Sequence, residues 1–122
     1  MKTEGKKRII VALDVDSVYK AKMLVTQLTP HVGYFKIGLE LIYSMLASLL
    51  TAKDEEEAVH TLNEIRELFE AIKDQTFLDT KLDDIPNTIA GATKAIARIG
   101  TKIFNVHASA GAEAVKQAVA NM

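Results

Sequence analysis

Apolar and polar positions along this chain change their period several times, and each change marks an element. Arg8 to Val15 (RIIVALDV) is a short apolar run rich in β-branched residues, too short for a helix and suited to a strand covered on both faces. Ser17 can cap the next segment, where Val18, Ala21, Val25 and Leu28 mark one helical face before Pro30 closes it. Tyr34 to Leu41 (YFKIGLEL) predicts a second strand holding one lysine, Lys36. From 42 to 74 the period is helical throughout, with a break expected near Thr51 and a restart at a capping box of Asp54 and Glu57. Val59, Leu62, Phe69 and Ile72 continue that helix, and the acids Asp54 to Glu57 suit its positive end, a role of capping and solvation. Thr76 to Leu82 (TFLDTKL) predicts a third strand. Ile85, Ile89, Ala92, Ile96 and Ile99 then form an amphipathic helix ending at Gly100, where a C-terminal glycine belongs. Lys102 to His107 predicts a fourth strand, and Ser109 can cap a last helix over Ala110 to Ala120.

Strand and helix therefore alternate four times, which predicts parallel strands joined by right-handed crossovers, an α/β fold in one domain spanning 1–122. Four units are half of a (β/α) TIM-type barrel, whose usual size is roughly 250 residues. A four-unit open sheet of the flavodoxin type has the same alternation, and the pattern does not separate the two.

Composition narrows the chemistry. The net charge of -1 supplies no strong field toward nucleic acid or an acidic membrane surface, so neither is expected as a partner. There is no cysteine, which removes disulfides and thiolate metal sites and fits a cytoplasmic protein. The longest mainly apolar stretch, Leu39 to Ala52, is shorter than a membrane span and contains Glu40. The basic start (Lys2, Lys6, Lys7, Arg8) precedes too short an apolar run for a signal peptide. No histidines or carboxylates stand at metal-ligand spacing, and there is no GxGxxG or P-loop. His107 ends the fourth strand and reads as a structural hydrogen-bonding residue rather than a base. His31 and His60 suggest no site.

Charge inside a buried strand is the feature that asks for a function. Asp79 and Lys81 are two apart on the third strand, so both emerge on one face. Asp84 follows just past the strand end, Lys36 sits on the second strand, and Asp14 lies near the end of the first. The carboxyl ends of parallel strands are where such folds build sites. The competing readings are a structural Asp79–Lys81 ion pair, with Asp84 as no more than the N-cap of a helix opened by Pro86. Against the ion pair stands the cost of two adjacent buried charges that have no use.

The segment Asp79-Thr80-Lys81-Leu82-Asp83-Asp84-Ile85-Pro86-Asn87-Thr88 resembles the D-x-K-x-x-D-I-P-N-T signature of the orotidine 5′-phosphate decarboxylase family. Val11-Ala12-Leu13-Asp14 resembles that family's first strand, Phe35-Lys36-Ile37-Gly38 its second and Val106-His107-Ala108 its fourth. The resemblance implies a cofactor-free, metal-free decarboxylation of orotidine 5′-phosphate to UMP in pyrimidine synthesis. Lys81 would be the proton donor to C6 and Asp79 would lie against the substrate carboxylate. Lys36 and Asp14 would contact ribose hydroxyls and orient the network. Asp84 and Thr88 would enter the neighbouring subunit's site across a homodimer interface. An array Lys36, Asp79, Lys81, Asp84 would favour the ammonium form of the proton donor, and a fixed cation beside the reacting carbon stabilises a carbanion-like transition state. D-x-K-x-x-D is shared with sugar-phosphate decarboxylases and aldolases of the same superfamily, so a magnesium-dependent enzyme acting on a keto-sugar phosphate is the alternative, as is a non-catalytic half-barrel.

Two departures from the family stand out. The stretch between Lys36 and Asp79 is longer by about one helix of several turns, and it lacks the Gly-Pro that usually starts the second helix. The chain also stops at Met122, before the strands whose loops grip the phosphate in the family. A piece of a longer enzyme is therefore expected, inactive on its own.

Overall fold

The computed structural model describes residues 3–122. Four parallel strands, β1 (Ile10–Ala12), β2 (Tyr34–Ile37), β3 (Thr76–Leu82) and β4 (Ile103–Val106), lie in one sheet in the order β1-β2-β3-β4. Sequential order with every neighbour paired is the winding of a (β/α) barrel. A doubly wound sheet reverses direction at its switch point, so the alternative left open by alternation does not apply.

The helices are α1 (Thr3–Lys6), α2 (Val18–Leu28), α3 (Leu39–Leu50), α4 (Glu55–Ala71), α5 (Pro86–Ile99) and α6 (Ala112–Asn121). Outward-facing strand residues Phe35, Ile37 and Leu78, with Leu13 just past β1, pack with Val18, Ala21 and Val25 of α2, Leu41 and Met45 of α3, Leu68 of α4, and Ile72 just after it, in one core. Ile89 of α5 joins Ala114 and Ala118 of α6 in a second. On the other face of the sheet Ile10 is 47% exposed.

Several boundaries follow from local chemistry. Ser17 caps α2 by accepting from the Lys20 amide at 3.2 Å, and Gly100 ends α5 in the left-handed conformation (φ 87°), both as the pattern predicts. The long helical stretch breaks after Thr51 and restarts with Asp54, whose carboxylate accepts from the Glu57 amide at 2.8 Å. Glu57 reaches back to the Lys53 amide rather than to Asp54, so the capping box is displaced by one residue. The expected second strand is too long. It ends at Ile37, and Gly38 is the N-cap of α3, because Leu41 and Met45 fall on a helical face that enters the core. On α4, Val59 and Leu62 stay exposed while Ile65, Leu68 and Phe69 face inward. Ser109 does not cap the last helix. It lies in a short 3-10 turn, and Gly111 takes the N-cap position of α6.

α3 and α4 both contribute to the main core, so the long segment between β2 and β3 is part of the helical layer, not an appendage. Truncating a fully buried side chain such as Leu68 (0% exposed) to alanine is expected to cost ~2–5 kcal/mol. A cross-helix ion cluster, Lys22 Nζ to Glu67 at 2.6 Å and to Glu64 at 3.1 Å, ties α4 to α2. Among the described residues no helix is long and apolar enough to cross a membrane.

At the amino ends of the strands, the backbone carbonyl of Ile9 accepts from the amides of Gly33 (2.9 Å) and Tyr34 (3.1 Å). A Cβ at position 33 would collide with the Lys7 carbonyl, so the close approach of the N-terminal segment requires glycine there.

Candidate active site

Strand alternation puts Lys36 on the face opposite the helices, beside Phe77 in register. Asp79, two residues on from Phe77, shares that face and is 6% exposed. Lys36 Nζ stands 3.3 Å from Asp79 Oδ2 and 3.9 Å from Asp14 Oδ2, just beyond the end of β1. Lys81 Nζ donates to the same Asp79 Oδ2 at 2.5 Å. Two cations from different strands therefore meet on one carboxylate oxygen.

The backbone that delivers Lys81 is irregular. Leu78 pairs with Phe104 and Leu82 with Val106, so the β3 segment between them is longer than its partner and bulges. Within it Lys81 has φ 51°, and among the described residues it is the non-glycine with positive φ. A lysine in the left-handed region costs on the order of 1 kcal/mol, and such strain concentrates at functional sites.

Asn105 on β4 is a site residue that the sequence reading missed. Its Nδ2 donates to Asp79 Oδ1 at 2.6 Å and its Oδ1 accepts from the Lys81 backbone amide at 2.7 Å. Thr80 Oγ1 donates to the Asn105 carbonyl at 2.9 Å. An asparagine in a strand carries no charge signal, and its partners lie on another strand, so nothing in the sequence marked it.

These contacts hold the Asp79 carboxyl well below the usual carboxylate range, at about 2. The Lys81 ammonium is the largest cause, then the Asn105 amide, with Lys36 adding to both against the opposing effect of burial. Asp14 approaches Lys36 past Gly38, where a Cβ would stand 3.3 Å from Asp14 Oδ1.

Asp14, Lys36, Asp79 and Lys81 are thus brought together, whereas Asp84 and Thr88 are not part of the cluster. Asp84 is exposed and its Oδ1 accepts from the Ile85 amide at 2.7 Å. It is not the N-cap residue of α5, a position held by Ile85. Thr88 is exposed in the first turn of α5. The neighbouring Asp83 accepts from Ser109 Oγ at 3.0 Å, linking the loops after β3 and β4. His107 extends the sheet through its amide, which donates to the Leu82 carbonyl at 2.8 Å. Among the described residues no group of three or more His, Cys, Asp or Glu side chains is placed to hold a metal ion.

The family model described as Orotidine 5′-phosphate decarboxylase / HUMPS family matches residues 7–122. The chain belongs to that family. Among similar proteins, the orotidine 5′-phosphate decarboxylase of Syntrophomonas wolfei is 40% identical over 95% of this chain and 42% of its own length. That of Moorella thermoacetica is 36% identical over 98% of this chain and 41% of its own length. The crystal structure of the Lactobacillus acidophilus orotidine 5′-phosphate decarboxylase superposes with a TM-score of 0.66 at 30% identity, over 93% of this chain and 46% of that one. The Pyrococcus horikoshii enzyme shares the fold with a TM-score of 0.68. The chain thus spans under half the length of these relatives and corresponds to the first four β/α units of the family's barrel.

Proposed function

We propose that the full-length protein decarboxylates orotidine 5′-phosphate to UMP, with residues 1–122 supplying the side of the site that handles the proton. The observation that carries this reading is the single Asp79 oxygen shared by Lys36 and Lys81 at the carboxyl ends of the strands. The C6–carboxylate bond breaks, carbon dioxide leaves, and the electron pair stays on C6. The Lys81 ammonium then gives C6 its proton and takes another from solvent. An ammonium already fixed by Asp79 needs little reorganisation as that charge develops, which is how preorganised sites lower barriers by several kcal/mol.

Asp79 would face the substrate carboxylate, held there by binding energy from the distant phosphate. Lys36 and Asp14 would bind ribose hydroxyls. Asp84 and Thr88, exposed beside the mouth, would complete the site of a second subunit in a homodimer. No cofactor enters this scheme.

The test is loss of pyrimidine absorbance when the full-length protein meets orotidine 5′-phosphate, with and without EDTA. Turnover that ignores the chelator is expected. EDTA-sensitive turnover of a keto-sugar phosphate, with none of the nucleotide, would move the protein to the magnesium-dependent branch of the superfamily. Residues 1–122 expressed alone are expected to turn over at least about 10³-fold more slowly, since remote phosphate contacts are then missing.

A further inference from the structure

We infer that Asn105 is a positioning residue for the proton donor, its carboxamide tying the Asp79 carboxylate to the left-handed backbone at Lys81, an inference that rests on the reaction proposed above. The orientation of the amide is fixed by its partners. A backbone N–H only donates and an ionised carboxylate only accepts, so Oδ1 must face Lys81 and Nδ2 must face Asp79. No other side chain of this size offers a donor and an acceptor side by side with no charge. Aspartate would keep the bond to the Lys81 amide and set a second carboxylate against Asp79.

The division of labour on Asp79 follows. Asn105 occupies Oδ1, which leaves Oδ2 to both lysines. Without Asn105 the carboxylate is free to rotate, and either lysine can take either oxygen. The bulge loses its support at the same time. The Lys81 amide faces the Asn105 side chain in place of a carbonyl of the neighbouring strand, so its conformation depends on that one contact. One residue on β4 thus fixes both the root of the Lys81 side chain and the counter-ion at its tip.

Three variants of the full-length protein test this. For Asn105→Asp and Asn105→Ala, kcat is expected to fall about 30- to 100-fold, the usual penalty for a displacement near 1 Å at the reacting atoms. The dissociation constant of UMP, which lacks the carboxylate, should stay within about threefold because the phosphate dominates it. Asp79 is faced by Lys36 from β2, Lys81 on its own strand, Asn105 from β4, and Asp14 behind Lys36. Replacing the amide with a carboxylate therefore moves the acid limb of kcat/KM to higher pH in Asn105→Asp. Hydrogen exchange at the Lys81 amide, followed by NMR, should speed up at least about tenfold in Asn105→Ala and less in Asn105→Asp. A residue that only supported the fold would lower the melting temperature and leave kcat per folded molecule and the acid limb in place. If Asn105→Ala does not fold, Asn105→Ser supplies the same readings. Unchanged Lys81 exchange together with kcat near wild type overturns the inference. If the wild type itself does not turn over orotidine 5′-phosphate, the functional reading fails, and Lys81 exchange with the Asp79 titration still decides the role of Asn105.

Discussion

β2 and β3 each present a lysine to the same aspartate by opposite means. Lys36 sits in a regular strand, in register with both neighbours, and its direction follows from alternation. Lys81 sits in a bulge with φ 51°, held by a side chain from the next strand. The regular strand costs nothing in backbone energy but can aim a side chain in only two directions. The bulge costs stability and sets a third. That contrast suits the proposed roles, since orienting a ribose tolerates more latitude than delivering a proton to one carbon.

The largest separation between the two lysines should appear in turnover. Lys81→Ala is expected to lose at least about 10⁴-fold in kcat/KM, combining general-acid and electrostatic contributions. Lys36→Ala should lose about 10²-fold, the scale of a lost orienting contact. Equal losses measured by the absorbance assay would erase the distinction.

Next in size is the shared counter-ion. The Asp79 carboxyl titrates at about 2 in the fold against an ordinary 3.8, so the folded state holds it ionised more strongly than the unfolded chain does. A depressed value adds stability above pH 3.8, at most about 2 kcal/mol, and loses it as pH falls toward 2. Denaturant midpoints between pH 6 and pH 2 should therefore fall less steeply in Asp79→Asn than in wild type. Parallel curves would mean that neither lysine is bound as described.

The smallest effect discriminates best. Lys81→Gly and Lys81→Ala lose the same contact with Asp79, and only the glycine relieves the left-handed backbone, so Lys81→Gly should be more stable than Lys81→Ala by about 1 kcal/mol. Lys36→Gly relieves nothing and should be less stable than Lys36→Ala by about 1 kcal/mol through chain entropy. Measured against the matching alanine variants, the melting temperatures of the two glycine variants should move in opposite directions.

Much of this was legible in the residues. The limits of β3, the cap at Ser17, the restart at Asp54 and the glycine at 100 all follow from local chemistry that one sequence displays. So does the meeting of Lys36 with Asp79, because alternation and parallel order are enough to bring them together. The start of α3 was misread because Leu39 and Leu41 prolong the apolar run of β2, and only the turn at Gly38 separates the two periods. The bulge at Lys81 was invisible for a different reason. No glycine marks it, and the residue that stabilises it is 24 positions away on another strand. Asp84, expected to enter a neighbouring subunit's site, stands apart from the cluster within this chain and turns its carboxylate to the adjacent Ile85 amide.

The glycine at position 33 has a practical consequence. It seats the N-terminal segment at the end of the sheet remote from the lysines, where a larger residue would lever that segment away. Tightening or loosening this floor should alter how long the protein survives heating without altering what it does per molecule, so durability and catalysis can be engineered from opposite ends of the same strands.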